Sequence, residues 1–114
     1  MEIELKVVDQ NRNIVLIVVK GRIITTNYQP LENELESISK GNAINLILDL
    51  QNAEAIDSQG VGLLIKTRFD IVNKGGKIVL AGLTDRVRSV LRMSGLEEYF
   101  LIASDQQNAL QLLQ

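Results

Sequence analysis

The sequence predicts an α/β domain: one mixed, mostly parallel sheet of four to five strands, packed with about four helices. Three observations carry that prediction. Apolar, β-branched runs alternate with amphipathic segments of helical period along the 114 residues, and such alternation implies a parallel sheet covered by the intervening helices. The first two strand segments are separated only by the polar stretch from Asp9 to Asn13, which reads as a hairpin turn and makes the sheet mixed. Helix-capping Asp, Ser and Thr, or glycines, stand at most of the junctions. A chain of this length fits one domain, residues 1–114.

Each element follows in order. Residues 2–8 set Ile3, Leu5 and Val7 against Glu2, Glu4 and Lys6, the period of two expected of a half-buried strand. Ile14 to Val19 is an unbroken apolar run, as in a strand covered on both faces. Gly21 ends it, and Arg22 to Asn27 is a loop. Thr26 or Asn27 caps a helix with Pro30 in its first turn, where a missing N–H costs nothing. Leu31, Leu35 and Ile38 form its buried stripe, Glu32, Glu34 and Glu36 its wet side, and Lys40-Gly41 its end. Residues 44–50 are the most apolar strand of the middle of the chain.

The longest helix opens at Ser58 and runs to about Asn73. At about 100° per residue, Val61, Leu64, Ile65, Phe69, Ile71 and Val72 fall within an arc of roughly 160°, the expected core face. Leu63 lies nearly opposite, beside Lys66 and Asp70, and is expected at the surface, either inert or touching a partner. Asn73-Lys74-Gly75-Gly76 reads as a helix stop and a turn; no helix follows directly, so it is not a phosphate loop. Lys77 to Ala81 is a fourth strand. Thr84 or Asp85 caps a helix carrying Val87, Val90 and Leu91 and closed by Ser94-Gly95. Its Arg86, Arg88 and Arg92 make either a solvated face or a dock for an acidic surface. Phe100 to Ile102 is a short last strand, Ser104-Asp105-Gln106-Gln107 has the form of a capping box, and Ala109, Leu110 and Leu113 line the final helix.

Composition excludes several functions. At 46% hydrophobic and 4% aromatic, without Trp, the core is aliphatic. Twelve basic and fourteen acidic residues are intermixed, for a formal net charge of -2, which is not the basic footprint of a nucleic-acid binder. Without Cys there is no disulfide and no thiolate chemistry, in keeping with a reducing cytosol. No run approaches the 18 or so apolar residues of a membrane span, and the alternating N-terminus is unlike a signal peptide. The absence of His removes the commonest general base and the commonest metal ligand. Carboxylates, lysines and hydroxyls remain, but nothing clusters them. The chain is therefore expected not to be an enzyme and to need no metal or cofactor, and a cytoplasmic monomer is favoured.

What remains is the stretch Ile56-Asp57-Ser58-Gln59-Gly60-Val61-Gly62-Leu63-Leu64. Asp57 and Ser58 are N-cap residue types, able to accept from an orphan N–H of the first turn. Gly60 and Gly62 are each about 1 kcal/mol worse than Ala in a helix interior, so something must approach the backbone closely there. A small hydroxyl at a helix N-terminus, beside an acid, is a place where an added phosphate would matter.

Three motifs give the chain its resemblance to a known family. Asp57-Ser58-Gln59-Gly60-Val61-Gly62 follows an apolar strand, Gly75-Gly76 precedes the next one, and Met93-Ser94-Gly95-Leu96 ends a helix. In that order and spacing the chain resembles the STAS domain of bacterial anti-anti-sigma factors over nearly its whole length. The resemblance implies that Ser58 is phosphorylated by an anti-sigma factor that is also an ATP-dependent serine kinase. It implies that the unmodified domain binds that kinase and the phosphorylated one releases it, until a metal-dependent serine phosphatase restores it. Arg22, Ile24, Asp57, Gln59, Gly60, Gly62 and Leu63 are the expected partner-binding residues. Two stretches depart from the family pattern, at Gln59 and at Arg22 and Ile24. Gln59 replaces a small hydroxyl residue, and Gly21-Arg22-Ile23-Ile24 stands where the family has Gly-Glu/Asp-Leu/Ile-Asp, in the loop that meets the kinase. Two alternatives stay open: a constitutive STAS interaction module in a stress-signalling scaffold or lipid-transport ATPase assembly, and a phospho-acceptor receiver domain built on Asp49, whose other acid would be Asp9.

Overall fold

The computed structural model describes residues 1–42 and 44–114. Among them the element order is β1 (Glu2–Asp9), β2 (Ile14–Ile23), α1 (Gln29–Lys40), β3 (Asn45–Ile56), α2 (Ser58–Asn73), β4 (Ile78–Ala81), α3 (Asp85–Met93), β5 (Leu101–Ala103) and α4 (Gln106–Leu112). The strands form one sheet in the order β1-β2-β3-β4-β5. β1 pairs with β2 antiparallel, and every other neighbour is parallel. This is the mixed, mostly parallel α/β sheet expected from the sequence.

Alternation along each strand divides the core into two layers. Ile17, Val19, Leu46, Leu48, Ile78 and Leu80 face one side and are buried with Leu31 and Leu35 of α1, Leu64 and Ile71 of α2, and Val87 and Leu91 of α3. Ile14, Leu16, Ile47, Val79 and Ala81 face the other, where Ala109 and Leu113 at the α4 end of the chain meet them. Among the described residues, three helices therefore cover one face and α4 alone covers the other. Asp49 on that second face accepts from Gln106 Nε2 at 2.6 Å and from the Gln51 amide at 2.9 Å, tying α4 to the central strand.

Several boundaries differ from the sequence reading. β2 runs to Ile23 and β3 to Ile56, not to residues 19 and 50. The extra residues pair with one another, Lys20 with Asn52, Gly21 with Ala53, Arg22 with Ala55 and Ile23 with Ile56. Gln51-Asn52-Ala53-Glu54 carries no apolar alternation to reveal a strand; backbone pairing and a buried Ala53 hold it. α1 begins after Tyr28, which makes no side-chain cap bond, not after Thr26 or Asn27. The last helix is capped by Asp105, which accepts from Asn108 N, one residue later than the capping box centred on Ser104. The last strand begins at Leu101 and not at Phe100, which is buried.

The largest corrections concern faces. On α2 the buried residues are Gly60, Val61, Leu63, Leu64, Thr67 and Ile71, whereas Phe69 is 60% and Val72 44% exposed. The buried arc is rotated by about 80° from the expected one, at roughly 100° per residue, because α1 packs along the flank where Leu63 and Thr67 lie. Thr67, the polar member of that arc, returns its hydroxyl to the Leu63 carbonyl at 2.8 Å. On β1, Leu5 and Val7 are exposed, so the strand is not half-buried along its length.

Candidate functional site

The site is built where β2 and β3 end together. The Ile23–Ile56 pair brings the next residue, Asp57, to the end of β2, and the Asp57 amide donates to the Ile23 carbonyl at 3.3 Å. Asp57 then caps α2: its Oδ1 accepts from the Gly60 amide at 2.9 Å. Its other oxygen reaches across the chain. Oδ2 accepts from the Thr25 amide at 2.9 Å and from the Thr25 hydroxyl at 3.0 Å. One carboxylate thus holds the loop after β2 against the first turn of α2. Burial raises the Asp57 carboxyl, but the hydrogen bonds from Thr25, Gly60 and Gln59 outweigh it, so the group titrates below the ordinary carboxylate value.

Gly60 answers the question its position raised. A Cβ there would lie 2.2 Å from the Ile23 carbonyl oxygen and 2.8 Å from Ile56 Cγ1, so only glycine lets the helix start this close to the end of β2. It is buried, and its role is in packing. Gly62 is different: it is exposed, and a Cβ there would meet nothing within 4 Å.

Ser58 is the first residue of α2 and is exposed, as is Gln59 beside it. The first turn of α2 contains no acidic residue within the helix itself. Arg22 is exposed on the last stretch of β2, paired with Ala55, while Ile24 is half-buried at the start of the loop. Ser58, Gln59, Gly62 and Arg22 therefore reach solvent around the end of the β2–β3 ribbon. Leu63 does not: it is buried in the groove between α1 and α2 with Leu35 and Thr67, and its expected place at the surface is corrected. Asp57 spends both oxygens inside the chain. Thr25, which completes the clamp, carries no motif in the sequence and emerges only from the fold.

The other candidates take structural roles. Asp49, on which a receiver reading depends, is buried and hydrogen-bonded to Gln51 and Gln106. Among the described residues no group of three or more His, Cys, Asp and Glu is placed to hold a metal ion, and no helix is long and apolar enough to cross a membrane. Of the arginines on α3, Arg92 pairs with Glu97 at 3.2 Å and Arg88 approaches the same carboxylate at 3.9 Å.

Fold and site together define a small α/β domain that presents a clamped, serine-bearing helix N-terminus to solvent. The family model of the STAS domain matches residues 6–109, and the chain belongs to that family. The anti-sigma F factor antagonist of Paenibacillus polymyxa is 25% identical over 104 residues, 90% of this chain and 88% of that protein. Two solved structures share the fold. The anti-sigma factor antagonist SpoIIAA in its unphosphorylated form has a TM-score of 0.79 at 20% identity, covering 97% of this chain and 96% of that one. SpoIIAA of Bacillus in its phosphorylated form has a TM-score of 0.77 at 19% identity, covering 99% and 100%.

Proposed function

We propose that this protein is an anti-sigma factor antagonist that binds an anti-sigma factor with serine-kinase activity and is released when that kinase phosphorylates Ser58. The observation that carries this reading is exposed Ser58, the first residue of α2, directly after the Asp57 clamp. Phosphorylation adds about -1.5 to -2 charges and three acceptor oxygens. The helix dipole favours that charge by roughly 0.3–1 kcal/mol, and ionised Asp57 next to it opposes it. The fold is accordingly retained; SpoIIAA, of the same fold, is known both with and without the phosphate. The loss falls on the complex, where a dianion must be desolvated against a partner shaped for a hydroxyl. An unpaired charge there costs about 3–5 kcal/mol, or a hundredfold or more in affinity. A metal-dependent serine phosphatase then returns the protein to its binding form.

The test is to incubate the protein with each anti-sigma-type kinase of its source and ATP, map the modified residue by mass spectrometry, and measure binding. The expected result is modification at Ser58, lost in Ser58→Ala, and a Ser58→Asp variant that binds its kinase at least about a hundredfold more weakly. Modification elsewhere, or an Asp variant that binds like the parent, overturns the proposal. Gln59 and Arg22 are exposed and depart from the pattern that the resemblance implies, which favours a second reading: a constitutive STAS module in a larger complex. Stable binding without modification by any kinase supports that one.

A further inference from the structure

Among the described residues no strand lies beside the outer edge of β1; β2 is its neighbour on the other side. Its odd-numbered residues lie on the sheet face that α1, α2 and α3 cover elsewhere. Leu5 pairs with Ile17 and Val7 with Val15, both of which belong to or pack against that core layer. Yet Leu5 is 43% and Val7 57% exposed. The apolar face runs out to the sheet edge and ends there uncovered. A long edge strand with such a face is a template for another strand.

We propose that the occupant is β1 of a second copy, paired antiparallel about a two-fold axis through Leu5. Directly opposed residues of an antiparallel pair share a face, so only registers that set odd positions against odd keep apolar against apolar. Centring on Leu5 opposes Leu5 to Leu5 and, twice each by symmetry, Ile3 to Val7 and Glu4 to Lys6. Moving the axis to Glu4 sets two carboxylates against each other, and moving it to Lys6 sets two ammonium groups against each other. Half-step registers put Glu4 or Lys6 opposite Leu5. The Leu5 register alone matches the apolar row without a like-charge pair. The hairpin gives no reason for this charge order, since Glu4 and Lys6 face Val18 and Leu16 within their own sheet. The irregularity in pairing falls between Val7 and Asp9, so the segment from Ile3 to Val7 that the register uses is regular. The result is a continuous ten-strand sheet across two chains, formed independently of Ser58.

One strand pair buries less than the roughly 1,200 Å² that separates weak from standard interfaces, so the intact chain is examined by sedimentation equilibrium from about 10 µM to about 1 mM. A monomer–dimer equilibrium is expected. Glu4→Lys and Lys6→Glu each set two like-charge pairs in the interface and weaken association at least about tenfold, and the double variant restores it to within about threefold of the parent. The two single variants change the net charge in opposite directions, so a general charge effect separates them where the register moves both the same way. In dilute solution, where the chain is monomeric, their melting curves match the parent, because Glu4 and Lys6 stand directly opposite Val18 and Leu16 in their own sheet. A chain that stays monomeric throughout, as when a strand of a different protein occupies this edge, overturns the proposal. So does a dimer indifferent to the single exchanges.

Discussion

Replacing Asp57 by Ala removes two attachments at once, and the structure lets their sizes be separated. The first is the helix cap to Gly60 N, whose loss costs about 0.5–2 kcal/mol in other proteins. The second is the pair of bonds from Thr25 to Oδ2; a hydrogen bond to a charged group contributes about 1.5–3 kcal/mol, less where water competes as it does at this surface. Together they predict a loss of about 2–3 kcal/mol for Asp57→Ala, a shift of roughly 1 M in the urea midpoint at unchanged slope. Asp57→Asn keeps a good N-cap oxygen for Gly60 but turns an NH₂ toward the Thr25 amide or loses that contact. It is expected to lose about 1 kcal/mol less than the Ala variant. Thr25→Ala leaves the Thr25 amide in place and removes only the hydroxyl bond, at about 0.5–1.5 kcal/mol. In a double-mutant cycle with Asp57→Ala, that hydroxyl contribution vanishes when the carboxylate is already absent. An Asp57→Ala stability within about 0.5 kcal/mol of the parent, or additive effects in the cycle, refutes the clamp.

Glycine exchange in the first turns of α2 separates close approach from mere helix opening. Gly60→Ala pushes a Cβ into the Ile23 carbonyl and is expected to lose more than about 2 kcal/mol. Gly62→Ala points into open space and gains about 0.5–1 kcal/mol in thermal unfolding. For Leu63 against Phe69, truncation to Ala at buried Leu63 costs about 2–5 kcal/mol. At exposed Phe69 truncation stays within roughly 0.5 kcal/mol, the reverse of what the sequence angle predicts. Asp57 also sets an acid limb. Its folded pKa lies below the unfolded value of about 3.9, so its stabilisation is complete above that value and is lost as pH falls through the folded pKa. Urea midpoints at neutral and at acidic pH are expected to converge between the parent and Asp57→Asn as the pH drops.

The order of the elements was legible because the cores of β2, β3 and β4, such as Leu46 to Leu50, are dense enough in aliphatic residues to announce burial, while β1 showed itself by its period of two. The caps were legible to within a residue, as Asp57 or Ser58 and as Thr84 or Asp85, since capping depends on one local side chain and an amide three residues on; Asp57 and Thr84 take the roles. Tertiary contacts were not legible. Gln51 to Ile56 is a strand because Lys20 to Ile23 lies beside it, and no local pattern reports that. The rotation of α2 follows from α1 packing against its flank, so an angular wheel that knows only one apolar arc misplaces Leu63 and Phe69 together. At the site, Ser58 and Asp57 were visible as a capping pair, but Thr25 lies 32 residues away from Asp57 in the chain and enters only through the fold. Gly60 was legible as a close approach, though the approaching group is the domain's own Ile23 carbonyl.

The thin second layer of the sheet has a consequence of its own. Ile14, Leu16, Ile47 and Val79 are screened from water on that side by one seven-residue helix and the residues flanking it, held by the Asp49–Gln106 bond. Undocking this short segment exposes a broad aliphatic plane while the three-helix layer stays intact. Local opening therefore begins there, and amide exchange of α4 is expected to be faster than that of β3 and α2. A Gln106→Ala chain should widen that difference, making the C-terminal end of the domain the place where it first becomes sticky.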